Sequence, residues 1–404
     1  MIRDAEQDLR AIERGDGTMS RVHLLVLALL ASCTSSVHAA RFSIGHPLAS
    51  LRSHEVERDI ESNGDATGET LSARQVEEHR PAFESFLDTF PEKREAYADA
   101  AKYAERLEIF ARNMILAAER QAQDRGSAVH GVTQFSDLTP TEFASTFLGT
   151  KLANEDVAAI RSGMTTLPDY PAHDLPLEFD WRERGAVTPV KNQGACGSCW
   201  TFSATGAVEG ANFLKTGELV SLSEQQLVDC DHTCDPSAPR NCDYGCNGGL
   251  PLNAMRYVQK HGLDTESAYP YKGVDGKCAS ARHGPAAASV SSFNLVSTNE
   301  TQIAAALLKH GPLSIGIDAA WMQTYVGGVA CPWICNKAGL DHGVLIVGYG
   351  VNGTAPARPW HRRQDYWIVK NSWGPNWGVE GGYYHICKDR AACGLNTMVV
   401  AADA

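Results

Sequence analysis

Gln193-Gly194-Ala195-Cys196-Gly197-Ser198-Cys199-Trp200 is the stretch on which the reading of the whole chain turns. Two cysteines three positions apart, bracketed by glycines and followed by an apolar run, suit a redox pair, half a metal site, or a nucleophile beside a structural thiol. The residues that follow favour the third. Trp200, Phe202, Ala207, Val208, Ala211 and Leu214 recur at roughly helical spacing, and Gly217 stands where such a helix stops. Cys199 is therefore expected to open a helix. A thiol there faces unpaired backbone N–H groups and the positive end of the macrodipole, which favours the thiolate and lowers its pKa.

With those residues in view, Cys196-Gly197-Ser198-Cys199-Trp200 resembles the active-site signature of the papain family of cysteine proteases. The likeness continues: in Asp341-His342-Gly343 the histidine lies 143 residues after Cys199, and in Lys370-Asn371-Ser372-Trp373-Gly374 the asparagine follows 29 residues later, somewhat beyond the family's common interval. The order Cys, His, Asn is the family's. Taken singly, such a cysteine is ordinarily a small buried hydrophobe, and the histidine and asparagine ordinary polar or turn residues. Taken together they imply an α+β fold of two lobes, a helical one around the Cys199 helix and a β-barrel-like one carrying His342 and Asn371. Three stretches read as strands of the second lobe, Val344 to Gly350, Tyr366 to Lys370 and Gly382 to Ile386.

The chemistry expected of these residues is concrete. A free thiol of pKa about 8.5 is mostly protonated at mildly acid pH, so Cys199 needs His342 as an imidazolium to hold its thiolate and then to protonate the leaving amine. Asn371 accepts from the other ring nitrogen and fixes the tautomer. Gln193 supplies a side-chain N–H, with the Cys199 backbone N–H, to the oxyanion. The resemblance further implies that Gly248 and Gly249 pair with an extended peptide by strand addition. Leu250, Pro251, Gly316, Leu340, Gly343 and Met398 line the pocket for the second residue before the cut; Met398 at its floor disfavours arginine, whose charge would be desolvated unpaired. Trp373 shields the Asn371–His342 bond, and Trp377 lines the leaving-group side.

Around this domain the chain is organised in steps. At 404 residues, with 43% hydrophobic residues, it is long enough for a full core and something extra, and its formal net charge of −12 argues against nucleic acid as the main partner. Residues 22–31 form an apolar run too short to span a bilayer, preceded by Arg21 and followed by small residues, so 1–40 reads as an N-terminal extension with a secretory signal and Met19 as the start. Residues 41–80 are polar and mixed in charge, a loose linker. From Phe83 to about Gln123 the pattern is helical, with Arg106, Phe110, Asn113, Ala117 and Gln121 on one face. That set resembles the inhibitory propeptide motif of papain-like proteases in its cathepsin F branch, with Lys102 where the motif carries Glu. Gly131, Thr133, Phe135 and Asp137 resemble the second propeptide motif. Residues 81–174 thus read as an inhibitory propeptide, 151–174 as its exposed, cleavable connector, and 175–404 as the peptidase domain.

Of twelve cysteines, Cys33 leaves with the signal and eleven remain, an odd number. If Cys199 is free, ten form five bridges in an oxidising compartment. The resemblance pairs Cys196 with Cys246 and Cys230 with Cys278; Cys234 and Cys242 are left to close a loop, and Cys331, Cys335, Cys387 and Cys393 to form two more bridges of open connectivity. The rival reading, zinc on Cys230, Cys234, Cys242 and Cys246, strands two cysteines and suits a secreted chain poorly. Asn299 and Asn352 head glycosylation sequons. The expectation is a monomeric cysteine endopeptidase of the secretory route, extracellular or lysosomal/vacuolar, made as a zymogen, with no cofactor or metal. Its partners are protein and peptide substrates, its own propeptide and cystatin-like inhibitors, not nucleic acid, and no membrane after signal cleavage. The alternative is a non-catalytic binding or storage protein on the same scaffold.

Overall fold

Ser72 and Gln75 form a reciprocal capping box at the start of a helix, Ala73–Glu78 (α1), inside the stretch whose polar composition suggests a linker up to residue 80. The end of that stretch is therefore helical. The computed structural model describes residues 71–279, 285–332, 334–335, 339–351 and 364–404; the leader, the linker up to residue 70 and Asn352 lie outside them.

The helical run expected from Phe83 to Gln123 is three helices, Arg80–Thr89 (α2), Pro91–Ala96 (α3) and Ala100–Gln123 (α4). Pro91 takes a first-turn position, where its missing N–H costs nothing, and Asp99 restarts the chain by accepting from the Ala101 and Lys102 N–H groups. Phe83, Phe86, Leu87, Leu107 and Phe110 form the small core between α2 and α4. The other motif residues of α4 hold the next segment of chain. Arg106 makes two 2.8 Å bonds to Glu142 and one to the Asp137 carbonyl; the Asn113 amide donates to the Ser136 and Leu138 carbonyls; Gln121 brackets Ala128 and His130. Ala117 is buried on the same face. Lys102 meets only exposed Glu105, whereas Lys93 reaches the fully buried Asp137 at 2.7 Å.

That segment carries strand Val129–His130 (β1), then helix Pro140–Phe147 (α5), strand Leu152–Ala153 (β2) and helix Asn154–Gly163 (α6). The connector expected over 151–174 is therefore neither wholly exposed nor aperiodic. Asn154 to Gly163 is helical, with Val157 and Ile160 buried, and their spacing of three is the periodicity that the short segment hides.

The remaining chain builds the two lobes. Strand Phe179–Asp180 (β3) leads to the helices Cys199–Thr216 (α7), Glu224–Cys230 (α8) and Pro251–His261 (α9). Ser223 caps α8, its hydroxyl accepting from the Gln226 N–H. Gly217 ends α7 in the left-handed conformation, φ 76°, and Leu214 near that end is exposed. The second lobe follows with Ser292–Leu295 (β4), helix Glu300–His310 (α10), Leu313–Ile317 (β5), Tyr325–Gly327 (β6), Val329–Ala330 (β7), Gly339–Leu340 (β8), His342–Gly350 (β9), Tyr366–Lys370 (β10), Tyr383–Cys387 (β11) and Val399–Asp403 (β12). Its main sheet runs β4-β12-β5-β9-β10-β11-β7, with β3 also on β9. Separate two-stranded pairs join β1 to β6 and β2 to β8, so propeptide strands add to strands of the second lobe.

Among the described cysteines, bridges join Cys196 to Cys246, Cys230 to Cys278, Cys234 to Cys242 and Cys335 to Cys393. The four cysteines of the zinc alternative are thereby disulfide sulfurs, not thiolates. The fifth expected bridge is absent: Cys331 and Cys387 are buried thiols. They directly follow the parallel register Ala330↔Ile386 of β7 and β11. Asn299 is exposed at the N-cap of α10, accepting from the Thr301 N–H.

Removing one partner of a buried pair leaves the other charge uncompensated. Asp137→Ala, which strands Lys93 and the Tyr97 hydroxyl, is expected to destabilise the folded propeptide by about 3 kcal/mol. The check is denaturant unfolding of a Cys199→Ala precursor.

Candidate active site

Cys199 is the first residue of α7, the position its sequence context indicates, and it is fully buried. Its sulfur accepts from two backbone N–H groups at 3.4 Å, that of Gly343 on β9 and that of Gly149 in the propeptide. His342 opens β9 and Asn371 directly follows β10, so adjacent antiparallel strands set their spacing. The His342 Nε2 lies 2.8 Å from Asn371 Oδ1, which also accepts from the Ser372 N–H. Two donors on one oxygen fix the amide's orientation, so Nε2 carries the ring proton. The other ring nitrogen, Nδ1, is buried without a hydrogen-bond partner. Trp373 stacks on the imidazole with ring centroids 4.7 Å apart, and Trp377 packs edge-on against Trp373.

Gln193 is fully buried and held from three sides. Its N–H pairs with the Ser372 carbonyl, its Oε1 accepts from the Ser372 hydroxyl, and the Tyr271 hydroxyl donates to its carbonyl. Its Nε2 donates to the Cys196 carbonyl and, at 3.0 Å, to the carbonyl of propeptide Phe147.

The residues expected to bind peptide come together along one line. Gly249 N–H donates to the Gly149 carbonyl at 2.9 Å, and the Thr150 hydroxyl donates to the Gly249 carbonyl. Gly248, with φ 114°, admits this approach: a Cβ there would stand 2.2 Å from the Gly149 oxygen. Beyond it Leu152 pairs with Leu340 in the β2–β8 ladder and enters a pocket formed with Leu250, Pro251, Gly316 and Met398. Gly343 instead packs against Trp200 and Pro251 beside the sulfur. At the other end Phe135 and Phe143 of the propeptide close edge-on over Trp373 at 5.0 and 5.4 Å. The second propeptide motif is seated by the same face, with Thr133 donating to the Gln323 carbonyl and the Gly131 N–H to that of Thr324.

Phe147 to Leu152 is what the residue-by-residue reading misses. Its one legible signal is Gly149, where a Cβ would stand 1.7 Å from the Gly197 carbonyl oxygen, so only glycine fits. This covering strand inverts the electrostatics expected of the cysteine. Burial pushes the Cys199 thiol up despite the helix terminus and the two N–H donors. Burial likewise pushes His342 down to about 4, against the pull of Asn371 and Asp341. Both shifts favour the neutral forms of the covered pair.

A buried thiol at a helix N-terminus, a histidine oriented by an asparagine and a glutamine amide beside them are the parts of a cysteine protease, and comparison with known sequences agrees. The profile "Papain family cysteine protease" matches residues 175–403, and "Cathepsin propeptide inhibitor domain (I29)" matches 83–143. The chain belongs to the papain family of cysteine proteases. It is 49% identical over 384 residues to cysteine proteinase 1 of Zea mays, covering 94% of this chain and 97% of that one. It is 55% identical over 305 residues to the probable cysteine protease RD19C of Arabidopsis thaliana, covering 75% and 80% of the two chains. To cathepsin F of Mus musculus it is 44% identical over 326 residues, covering 80% and 64%. The papain-family procathepsin L 3 of Tenebrio molitor superposes with a TM-score of 0.65 at 33% identity, over 80% of this chain and 99% of that one. The protein is a cysteine protease of the cathepsin F-like branch, made as a zymogen with its own inhibitory propeptide.

Leu152 is 3% exposed in its pocket, so Leu152→Ala removes about 2–3 kcal/mol of packing from the closed state. Alkylation of Cys199 in the intact precursor at neutral pH is expected to speed up roughly 30- to 150-fold, as the open population rises by that factor.

Proposed function

We propose that the enzyme cleaves peptide bonds through a Cys199 thiolate and a His342 imidazolium, by way of a thioester, with Asn371 orienting the imidazole and Gln193 holding the oxyanion. The observation that carries this reading is the 2.8 Å His342–Asn371 bond, which leaves Nδ1 as the free ring nitrogen, one residue before the Gly343 whose N–H meets the Cys199 sulfur. In the substrate complex the thiolate attacks the scissile carbonyl carbon, and the new oxyanion takes hydrogen bonds from Gln193 Nε2 and the Cys199 N–H. The imidazolium gives its proton to the departing amine, and the neutral ring then takes one from the water that hydrolyses the thioester. The Phe147 carbonyl, 3.0 Å from Gln193 Nε2, marks the donor's aim.

The same contacts account for latency. A substrate's second residue before the cut lies N-terminal to the scissile carbonyl, whereas Leu152 lies C-terminal to Phe147 and Gly149. The propeptide therefore fills the cleft in the opposite direction. It also favours the neutral forms of both catalytic groups. Departure of the propeptide rehydrates them, which raises His342, lowers Cys199 and lets the ion pair form.

Acid favours that departure through His342. Its pKa falls from 6.5 to about 4 in the closed precursor, so neutral His342 contributes stability that is present above pH 6.5 and lost as pH drops through about 4. Asp341 acts the other way. Burial lifts it to about 7, so its contribution is full in acid and fades as pH rises through that value. Maturation follows by cleavage of the connector near Leu175, beside Leu177, which is 78% exposed. The pocket of Leu250, Pro251, Gly316, Leu340 and Met398 selects an apolar second residue. Four disulfides fit the secretory route, ending outside the cell or in a lysosome or vacuole. We take the working form to be a monomer open to cystatin-like inhibitors, with glycosylation at Asn299 and Asn352.

Hydrolysis of a fluorogenic peptide by acid-matured enzyme under mild reduction tests the mechanism. Cys199→Ala should abolish turnover; residual activity in the pure variant removes the nucleophile from the scheme. Gln193→Ala should lower kcat about 10²- to 10³-fold with little change in KM. For the pocket, leucine at the second position should exceed arginine at least about 10-fold in kcat/KM, and Met398→Glu should narrow that ratio by giving the guanidinium a partner. Equal ratios before and after the substitution would place Met398 elsewhere.

A further inference from the structure

Downstream of α6 the connector touches the peptidase domain at regular intervals. Met164, Leu167 and Tyr170 are half-buried, and every residue between them is exposed. A repeat of three is that of a polyproline II helix, which has three residues per turn and turns one side to a surface. The sequence Leu167-Pro168-Asp169-Tyr170-Pro171 suits it: both anchoring residues precede a proline, which biases them to extended backbone before any contact forms.

The surface beneath is matched to each anchor. The strand β4 is the edge of the main sheet, and its Leu295 exchanges two backbone hydrogen bonds with the connector, from the Leu167 N–H at 2.8 Å and to the Thr165 carbonyl at 3.0 Å. Gln302 on α10 clamps the backbone of Tyr170 from both sides, its Oε1 accepting the Tyr170 N–H at 2.7 Å and its Nε2 donating to the Tyr170 carbonyl at 3.2 Å. The phenol reaches the buried His310 Nε2 at 2.8 Å, and His310 is itself held by Asp403 through Nδ1 at 2.7 Å. With Nδ1–H donating to that carboxylate, Nε2 is the acceptor for the phenol proton. The Lys309 ammonium lies 4.2 Å from the centre of the tyrosine ring. Gln302, Lys309, His310, Asp403 and Leu295 all belong to the peptidase domain, so the site stays with the enzyme when the connector leaves.

We propose that the peptidase domain carries a second peptide-binding site, separate from the catalytic cleft, that takes an extended proline-rich segment with an apolar residue followed three positions later by a tyrosine. The connector is its resident ligand in the precursor. In the mature enzyme the edge of β4 and the Gln302–His310 slot accept the same connector segment from the excised propeptide. Backbone pairing supplies affinity, and the slot for the phenol supplies selectivity.

The test is binding of a fluorescently labelled peptide, residues 164–174, to mature enzyme whose Cys199 has been capped by an epoxysuccinyl inhibitor. Saturable binding is expected, unaffected by the cap. Tyr170→Phe in the peptide should weaken it about 3- to 10-fold, the loss of one hydrogen bond, and Tyr170→Ala more than about 10-fold. Replacing Pro168 and Pro171 by alanine should weaken it about 2- to 5-fold each through the free peptide's entropy. On the enzyme side Gln302→Ala should lose peptide binding while kcat and KM for a short fluorogenic substrate stay those of wild type. Absence of saturation, equal binding of the Tyr170→Ala peptide, or loss of binding on capping Cys199 would each overturn the proposal. Hydrolysis of the short substrate by the uncapped enzyme reports on the cleft independently, so failure of the catalytic reading is seen separately.

Discussion

Everything in the precursor depends on one buried sulfur lying 3.4 Å from two backbone N–H groups, one of the second lobe and one of the propeptide. The Gly343 N–H belongs to the strand that also carries His342, so it joins α7 to the second lobe at the nucleophile. The Gly149 N–H belongs to the inhibitor and brings its backbone close enough to exclude water. From that approach follow the need for glycine at 149, the pairing of Gly149 with Gly249, and the burial that favours the neutral forms of Cys199 and His342. A helix terminus favours a thiolate only where the surrounding medium also solvates it, and here desolvation outweighs the dipole and both hydrogen bonds.

The propeptide places that glycine with little apolar material of its own. Five buried side chains, Phe83, Phe86, Leu87, Leu107 and Phe110, make up its core. Polar residues on α4 do the positioning. Arg106 fixes the start of α5 through Glu142, and Asn113 fixes the turn before it through two carbonyls. With α5 held, Phe143 and Phe147 bear on Phe135 and Trp373, and the chain leaves the helix at the cleft. Such bonds contribute modestly to stability, each about 1 kcal/mol net, but they are directional, which an apolar contact is not. The interlocking of polar motif and aromatic cluster gives the inhibitor its register.

The catalytic residues were legible because their chemistry restricts residue type. The proposed nucleophile at a helix start, the histidine opening one strand and the asparagine leaving the next were named through the resemblance to the papain family, and the two strands bring His342 and Asn371 to 2.8 Å. The propeptide face was legible for a related reason, since Arg106, Asn113 and Gln121 are polar residues on an otherwise buried stripe. Other features were hidden where burial depends on a partner distant in sequence. Phe147 to Leu152 looks like an ordinary end of a helix until the cleft is laid against it. The periodicity of α6 is too short to stand out beside polar neighbours. Cys331 and Cys387 count as a bridge by parity, yet both are buried thiols, and a count of cysteines does not say which of them pair.

The connector bears on why activation needs a cut and not only an opening. While the chain is intact, the propeptide meets the cleft at an effective concentration set by a short, partly ordered tether, and any strand that leaves returns faster than substrate can diffuse in. Rise of His342 and fall of Cys199 on opening are therefore reversible events. Severing the chain near Leu175 converts inhibition into a bimolecular equilibrium, which dilution and acid can then drive to completion. Contacts on the enzyme side of that balance are additive in free energy only when they engage together. The pairing along Gly249, the aromatic closure over Trp373 and the seating of Tyr170 on His310 lie at successive points of one chain. Loss of the middle contacts, where the titrating histidine sits, separates the outer ones and lets each dissociate as a weak single site.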